Sequence, residues 1–160
     1  MISLFCATII SFQAMAQPIS LPYQIHQVPL PDAMNKQVCI SGIKYMEGKL
    51  YFASERCPMI IVTDPATGTI TQTIPTSIGQ EFEMEGLTSY KNKLYSVSEQ
   101  LVAVYEIDPA TGHSRQLSTS VPLPPKSKSG DGMEGIAANE TNNKFYILRE
   151  RNENMTFAQI

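Results

Sequence analysis

The sequence predicts an all-β protein: a β-propeller with about three four-stranded blades, the N-terminal part of a larger ring. Three observations predict it. Long segments recur along the chain, two of them at one fixed spacing, apolar residues inside them follow a period of two, and an Asp-Pro-Ala-Thr-Gly turn returns at the same point of the first two periods.

The repeat is the strongest of the three. SGIKYMEGKLYFASER (Ser41 to Arg56) is echoed by EGLTSYKNKLYSVSEQ (Glu85 to Gln100) and by EGIAANETNNKFYILRER (Glu134 to Arg151). Gly42 to Gly86, Leu50 to Leu94 and Asp64 to Asp108 share one offset of 44 residues. The third copy lies further on, Gly86 to Gly135 being 49, and the polar insert VPLPPKSKSGDG (Val121 to Gly132) takes up the excess as a surface loop.

Within each copy the pattern is period two and rich in β-branched and aromatic residues. In the first copy strands are expected at about Val38 to Met46, Lys49 to Ser54, Met59 to Thr63 and Thr69 to Ile74. Glu47-Gly48 and Lys91-Asn92 sit at the first reversals. Between third and fourth strands, Asp accepts backbone hydrogen bonds, Pro presets φ and Gly supplies positive φ. Four short strands in roughly 40–50 residues is the arithmetic of a propeller blade. No segment carries a 3.6-residue apolar stripe, which sets helical solenoids aside. Blades are expected at about 38–80, 81–120 and 131–160.

Ahead of the repeats, Met1 to Ala16 ends in Ala14-Met15-Ala16 and is expected to be a signal peptide cut before Gln17. Its first residues lack Lys and Arg, so a buried apolar strand or helix is the competing reading. Export implies a periplasmic or secreted protein. Within 17–37, Tyr23 to Leu30 (YQIHQVPL) is either a ring-closing outer strand or a linker. Three blades fall short of the four to eight that close a ring, hence the expectation of a longer propeller. After cleavage Cys39 and Cys57 remain, near one end of a hairpin; a disulfide and two thiols are both open.

Of 160 residues, 42% are hydrophobic and 17% charged, and the net charge is −3. The chain therefore carries enough apolar content for a core and no field to draw a phosphate backbone, which argues against nucleic acid. No apolar run after the leader reaches the length of a membrane helix. Dinucleotide, P-loop and serine-hydrolase motifs are missing, and two histidines with three cysteines and no CxxC argue against zinc and haem.

In an antiparallel hairpin the start of the first strand and the end of the second share one edge. That places Glu85 with Glu99 and Glu134 with Glu150; in the first copy Ser41 stands opposite Glu55. If the first strand is innermost, these residues ring the channel mouth, with Arg56, Arg149 and Arg151 beside them. Converging carboxylates shift one another's pKa to make an acid and a base, bind a hard cation such as calcium, or pair with arginines and hold blades in register. Tyr51, Tyr95 and Tyr146 are expected to be half-buried strand residues, Met84 and Met133 core, and Asp64 and Asp108 turn residues. His26 and His113 are too isolated to act as bases.

These units resemble the phytase-like propeller family, described by its esterase-like activity, and are similar to the related SdiA-regulated propeller family. The matching elements are Glu85-Gly86-Leu87, Glu134-Gly135-Ile136, and the units Leu50 to Arg56, Leu94 to Gln100 and Phe145 to Arg151. The resemblance implies an exported propeller whose repeated acids hydrolyse phosphate esters with the aid of calcium. Carried over by position, it points to Glu55, Glu85, Glu99, Glu134 and Glu150. Ser41 and Gln100 depart from the pattern.

Two functions follow. In a hydrolase, Glu85 and Glu134 would hold calcium and Arg56, Arg149 or Arg151 would steady a small phosphate ester. In a non-catalytic binding module, the rim would take a ligand and the glutamates would be structural.

Overall fold

A computed structural model describes residues 38–79, 82–120, 122–123, 132–150 and 156–158. The expected leader, the 17–37 segment, most of the 121–132 insert and Arg151 lie outside the described residues.

Alternating side chains and tight turns fold each repeat into one antiparallel meander. The first sheet contains β1 (Ile40–Met46), β2 (Lys49–Ser54), β3 (Met59–Thr63) and β4 (Ile70–Pro75), in that spatial order. The second contains β5 (Met84–Tyr90), β6 (Lys93–Ser98), β7 (Ala103–Ile107) and β8 (Ser114–Gln116). The third contains β9 (Met133–Asn139), β10 (Lys144–Arg149) and β11 (Thr156–Ala158). The inner strands β1, β5 and β9 pack on one another in succession, so the sheets follow each other as blades of a partial β-propeller.

The turns form for the reasons the residues suggest. Asp64 Oδ1 accepts from the Ala66 and Thr67 amides at 2.7 and 3.2 Å, and Gly68 takes φ 71°. Asp108 repeats this with Ala110 and Thr111 at 2.8 and 3.3 Å, and Gly112 takes φ 74°. At the reversals Glu47, Gly48, Lys91 and Asn92 all adopt positive φ, the twist a two-residue hairpin needs.

Burial follows the pleat. Tyr51, Ala53, Met84, Leu87 and Leu94 belong to a core between the first and second sheets; Tyr95, Val97, Met133, Ile136, Phe145 and Ile147 belong to one between the second and third. The strand β6 thus sends Leu94 to one neighbour and Tyr95 and Val97 to the other. Tyr51 and Tyr95 are buried and only Tyr146 is half-buried, because packed neighbours cover the first two. Met84 and Met133 are core residues, as expected.

Close approach of the inner strands depends on glycine. A Cβ on Gly42 would meet Leu87 N at 2.6 Å and Glu85 O at 2.7 Å. One on Gly86 would meet Ile136 N at 2.7 Å and Gly135 Cα at 2.8 Å. Those neighbours are backbone atoms that cannot step aside.

Candidate functional site

The carboxylates reach one place because of a β-bulge repeated in every blade. On β1, Ile40 pairs with Ser54 and Gly42 with Ala53, so Ser41 is the extra residue. On β5 the register shifts between Met84 and Leu87, across Glu85 and Gly86. On β9, Met133 pairs with Arg149 and Gly135 with Leu148, which leaves Glu134 extra. A bulge re-aims its side chain out of the regular alternation.

The second residue of each expected pair is held by one recurring backbone hydrogen bond. Glu55 N donates to Cys39 O at 2.8 Å, Glu99 N to Glu83 O at 3.0 Å, and Glu150 N to Gly132 O at 3.0 Å. At the last residue of β2 and of β6 a serine closes the next turn: Ser54 Oγ accepts from Cys57 N at 3.1 Å and Ser98 Oγ from Leu101 N at 3.0 Å. Arg149 occupies that place in the third blade, and its Nε is buried with no hydrogen-bond partner among the described residues.

Glu85 is the centre of the cluster. It is 8% exposed, and its carboxyl pKa is pushed from the ordinary 4.5 up to about 8, first by burial and then by the charges of Glu134, Glu55, Glu99 and Glu83. Three of the other four expected glutamates, drawn from three blades, therefore act on Glu85. Glu150 occupies the equivalent hairpin end but is not among the groups acting on Glu85. Ser41 Oγ instead donates to the Met84 carbonyl and ties the first blade to the second. Arg56 is exposed. Cys39 and Cys57 are both thiols, on neighbouring turns at this edge. Glu83 was missed by the repeat reading; its signal is its place 44 residues after Cys39, at the same hairpin end. Among the described residues no three His, Cys, Asp or Glu side chains are placed to hold a metal ion.

A second feature lies at the far end of β5, at the junction of the second and third blades. Here a cavity of about 330 Å³ is lined by Tyr90, Tyr95, Phe145, Glu106, Arg115 and Asn143, among others. The three rings meet edge to face or tilted, with centroids 4.8–6.3 Å apart. Tyr95 Oη donates to Glu106 Oε2 at 2.9 Å and Arg115 Nη2 to Glu106 Oε1 at 3.0 Å. Burial works to raise the Glu106 pKa, but the Arg115 and Tyr95 hydrogen bonds and the Arg115 charge outweigh it and hold the carboxyl below its ordinary range. Tyr95 is pushed upward by burial, then by its bond to Glu106, and stays protonated. Sequence reasoning did not find this site, since it is made by packing one blade on the next.

Blades stacked through bare glycines, with bulged acids gathered at one end, define a partial β-propeller. Residues 19–158 match the SdiA-regulated family, and the chain belongs to it. No curated protein matches. Among solved structures it is similar to the glutaminyl cyclase of Myxococcus xanthus, at 18% identity and TM-score 0.59, over 75% of this chain and 54% of that one. It is also similar to catalytically inactive virginiamycin B lyase from Staphylococcus aureus with quinupristin, at 12% identity and TM-score 0.54, over 79% and 43%. The chain thus spans about half the length of these structures, and the likeness is one of fold.

Proposed function

We propose that this chain is a non-catalytic β-propeller binding module whose ligand site is the cavity between the second and third blades. The observation that carries this reading is the chemistry of that cavity. Tyr90, Tyr95 and Phe145 supply apolar surface while Arg115, Gln116 and Asn143 supply polar groups around one concave space. Small-molecule sites have this composition. Arg115 gives one N–H to Glu106 and retains others for a ligand. A small aromatic carboxylate suits the set. The test uses p-hydroxybenzoate as probe: titration is expected to shift the amide resonances of Asn143 and Phe145, and Arg115→Ala to abolish the saturable shift. Unmoved resonances at high probe concentration would defeat the reading.

In this reading Glu55, Glu85, Glu99 and Glu134 are structural, with Glu85 protonated at neutral pH. One observation favours a second reading, hydrolysis of phosphate esters: a carboxyl titrating at about 8 is a competent general acid near neutrality. There Glu85 would give up its proton as the acid and Glu134 would face calcium, with Arg56 and Arg149 on the ester. Release of p-nitrophenol from p-nitrophenyl phosphate in the presence of calcium, abolished by Glu85→Gln, would establish it; the binding reading expects no release above buffer. Export to the periplasm or beyond belongs to the same proposal, and a purified N-terminus at Gln17 checks it. Among the described residues no helix is long and apolar enough to cross a membrane.

A further inference from the structure

Internal repetition lets the junction of the second and third blades be compared with the junction before it. Between the first and second blades the same place is packed solid. Tyr51, Val62, Leu94 and Ile107 lie there in one buried cluster, with Val62 only 1% exposed. In the next junction Tyr95 stands for Tyr51 and Phe145 for Leu94, so the frame is kept. Ile107, the ladder partner of Leu94, gives way to Ala158, the ladder partner of Phe145. A large residue is thus replaced by a small one at the ladder step of Phe145, which lines the cavity of about 330 Å³.

A cross-strand pair beside it changes in both members. In the first blade Val62 stands opposite Gln72; in the second, Glu106 stands opposite Arg115. The two charges meet at 3.0 Å, and Tyr95 Oη donates to the same carboxylate at 2.9 Å. An ion pair set into a packed junction adds little stability over well-fitted apolar residues, because both charges lose water. The first blade shows that this fold does without one. Glu106 and Arg115 therefore stand as binding groups, and their pattern selects among aromatic ligands. Burial of Glu106 is outweighed by the Arg115 and Tyr95 hydrogen bonds, so the carboxylate stays ionised. A plain carboxylate reaching Arg115 meets that negative charge close by. A ligand with a cation next to its carboxylate finds a partner for each.

We propose, resting on the reading of this cavity as the ligand site, that it takes a free aromatic α-amino acid. The ammonium group lies on Glu106, the carboxylate on Arg115 and the ring among Tyr90, Tyr95 and Phe145. In such a molecule the two opposite charges sit on one carbon, matching two side chains that touch each other. Both protein groups have capacity left, since each Glu106 oxygen keeps a lone pair and Arg115 keeps N–H donors.

Isothermal titration calorimetry of the full chain tests this with three probes: L-phenylalanine, 3-phenylpropionate, which lacks the ammonium, and phenethylamine, which lacks the carboxylate. Phenylalanine is expected to bind at least about tenfold more tightly than either analogue, and Glu106→Gln to remove its advantage over 3-phenylpropionate. Glu106→Val combined with Arg115→Gln gives the second blade the pair found in the first. That double variant is expected to lose phenylalanine binding and to melt no lower than wild type. Either analogue binding as tightly as phenylalanine, or an advantage that survives Glu106→Gln, would overturn the amino-acid inference and leave the cavity as a ligand site. Binding of none of the three probes would overturn both. A double variant that melts below wild type would make the ion pair structural and overturn the inference as well.

Discussion

Glu85 makes stability depend on pH in a direction opposite to most paired carboxylates. Its pKa rises from an unfolded 4.5 to about 8 in the folded protein. Between those values the folded chain holds a proton that the unfolded chain has released, so stability falls as pH rises. The contribution is complete below pH 4.5 and is lost by the time pH passes 8. At about 1.4 kcal/mol per pKa unit the full shift sets a ceiling near 5 kcal/mol, and screening at the solvent-touching carboxylate reduces this to about 2–3 kcal/mol. Glu85→Gln keeps the shape of the protonated acid without the proton to lose. Urea unfolding at pH 4.5 and pH 9 reads the difference. At pH 4.5 the two proteins are expected to unfold together; at pH 9 the variant should be more stable by about 2–3 kcal/mol, or about 1–1.5 M in urea midpoint. Parallel pH profiles for the two proteins would refute the buried-cluster account.

Other changes follow from the same contacts. Gly86→Ala drives a methyl into the backbone of Gly135 and Ile136 and should cost about 3 kcal/mol by chemical denaturation, while Gly79→Ala, with nothing within 4 Å, should be within about 0.5 kcal/mol of wild type. Tyr95→Phe takes a donor from Glu106 and should cost about 1–2 kcal/mol. Because Glu106 is depressed, its contribution is lost as pH falls, so the stability gap between this variant and wild type should narrow on acidification. Asp64→Ala removes the acceptor for Ala66 and Thr67 and should lower stability by about 1 kcal/mol, read as a reduced melting temperature.

Much of the architecture was legible because it is local. Runs of β-branched, aromatic and apolar residues in Lys49–Ser54 and Met59–Thr63 placed both strands at their observed ends, and Asp-Pro-Ala-Thr-Gly described its own hydrogen bonds. The gathering of Glu55, Glu85, Glu99 and Glu134 was legible for a similar reason, since hairpin geometry puts strand starts beside strand ends. What escaped depends on how one blade meets the next. The bulge that turns Glu85 inward looks in sequence like ordinary alternation interrupted by a glycine. The burial of Tyr95 and its bond to Glu106 depend on Phe145, fifty residues away in the chain. The arginine pairing weighed for the rim gave way, at Glu85, to burial among other acids.

Among the described residues every hydrogen-bonded strand pair joins neighbours in the chain: β1 to β2, β2 to β3, and onward within each sheet. Contacts so close in sequence favour rapid folding, and one sheet can be complete before the residues of the next have left the ribosome. The hazard of vectorial synthesis is brief exposure, since the newest sheet shows a greasy flank until its successor lands on it. Chaperones that recognise short apolar β-segments would meet this protein at each such pause, once per blade.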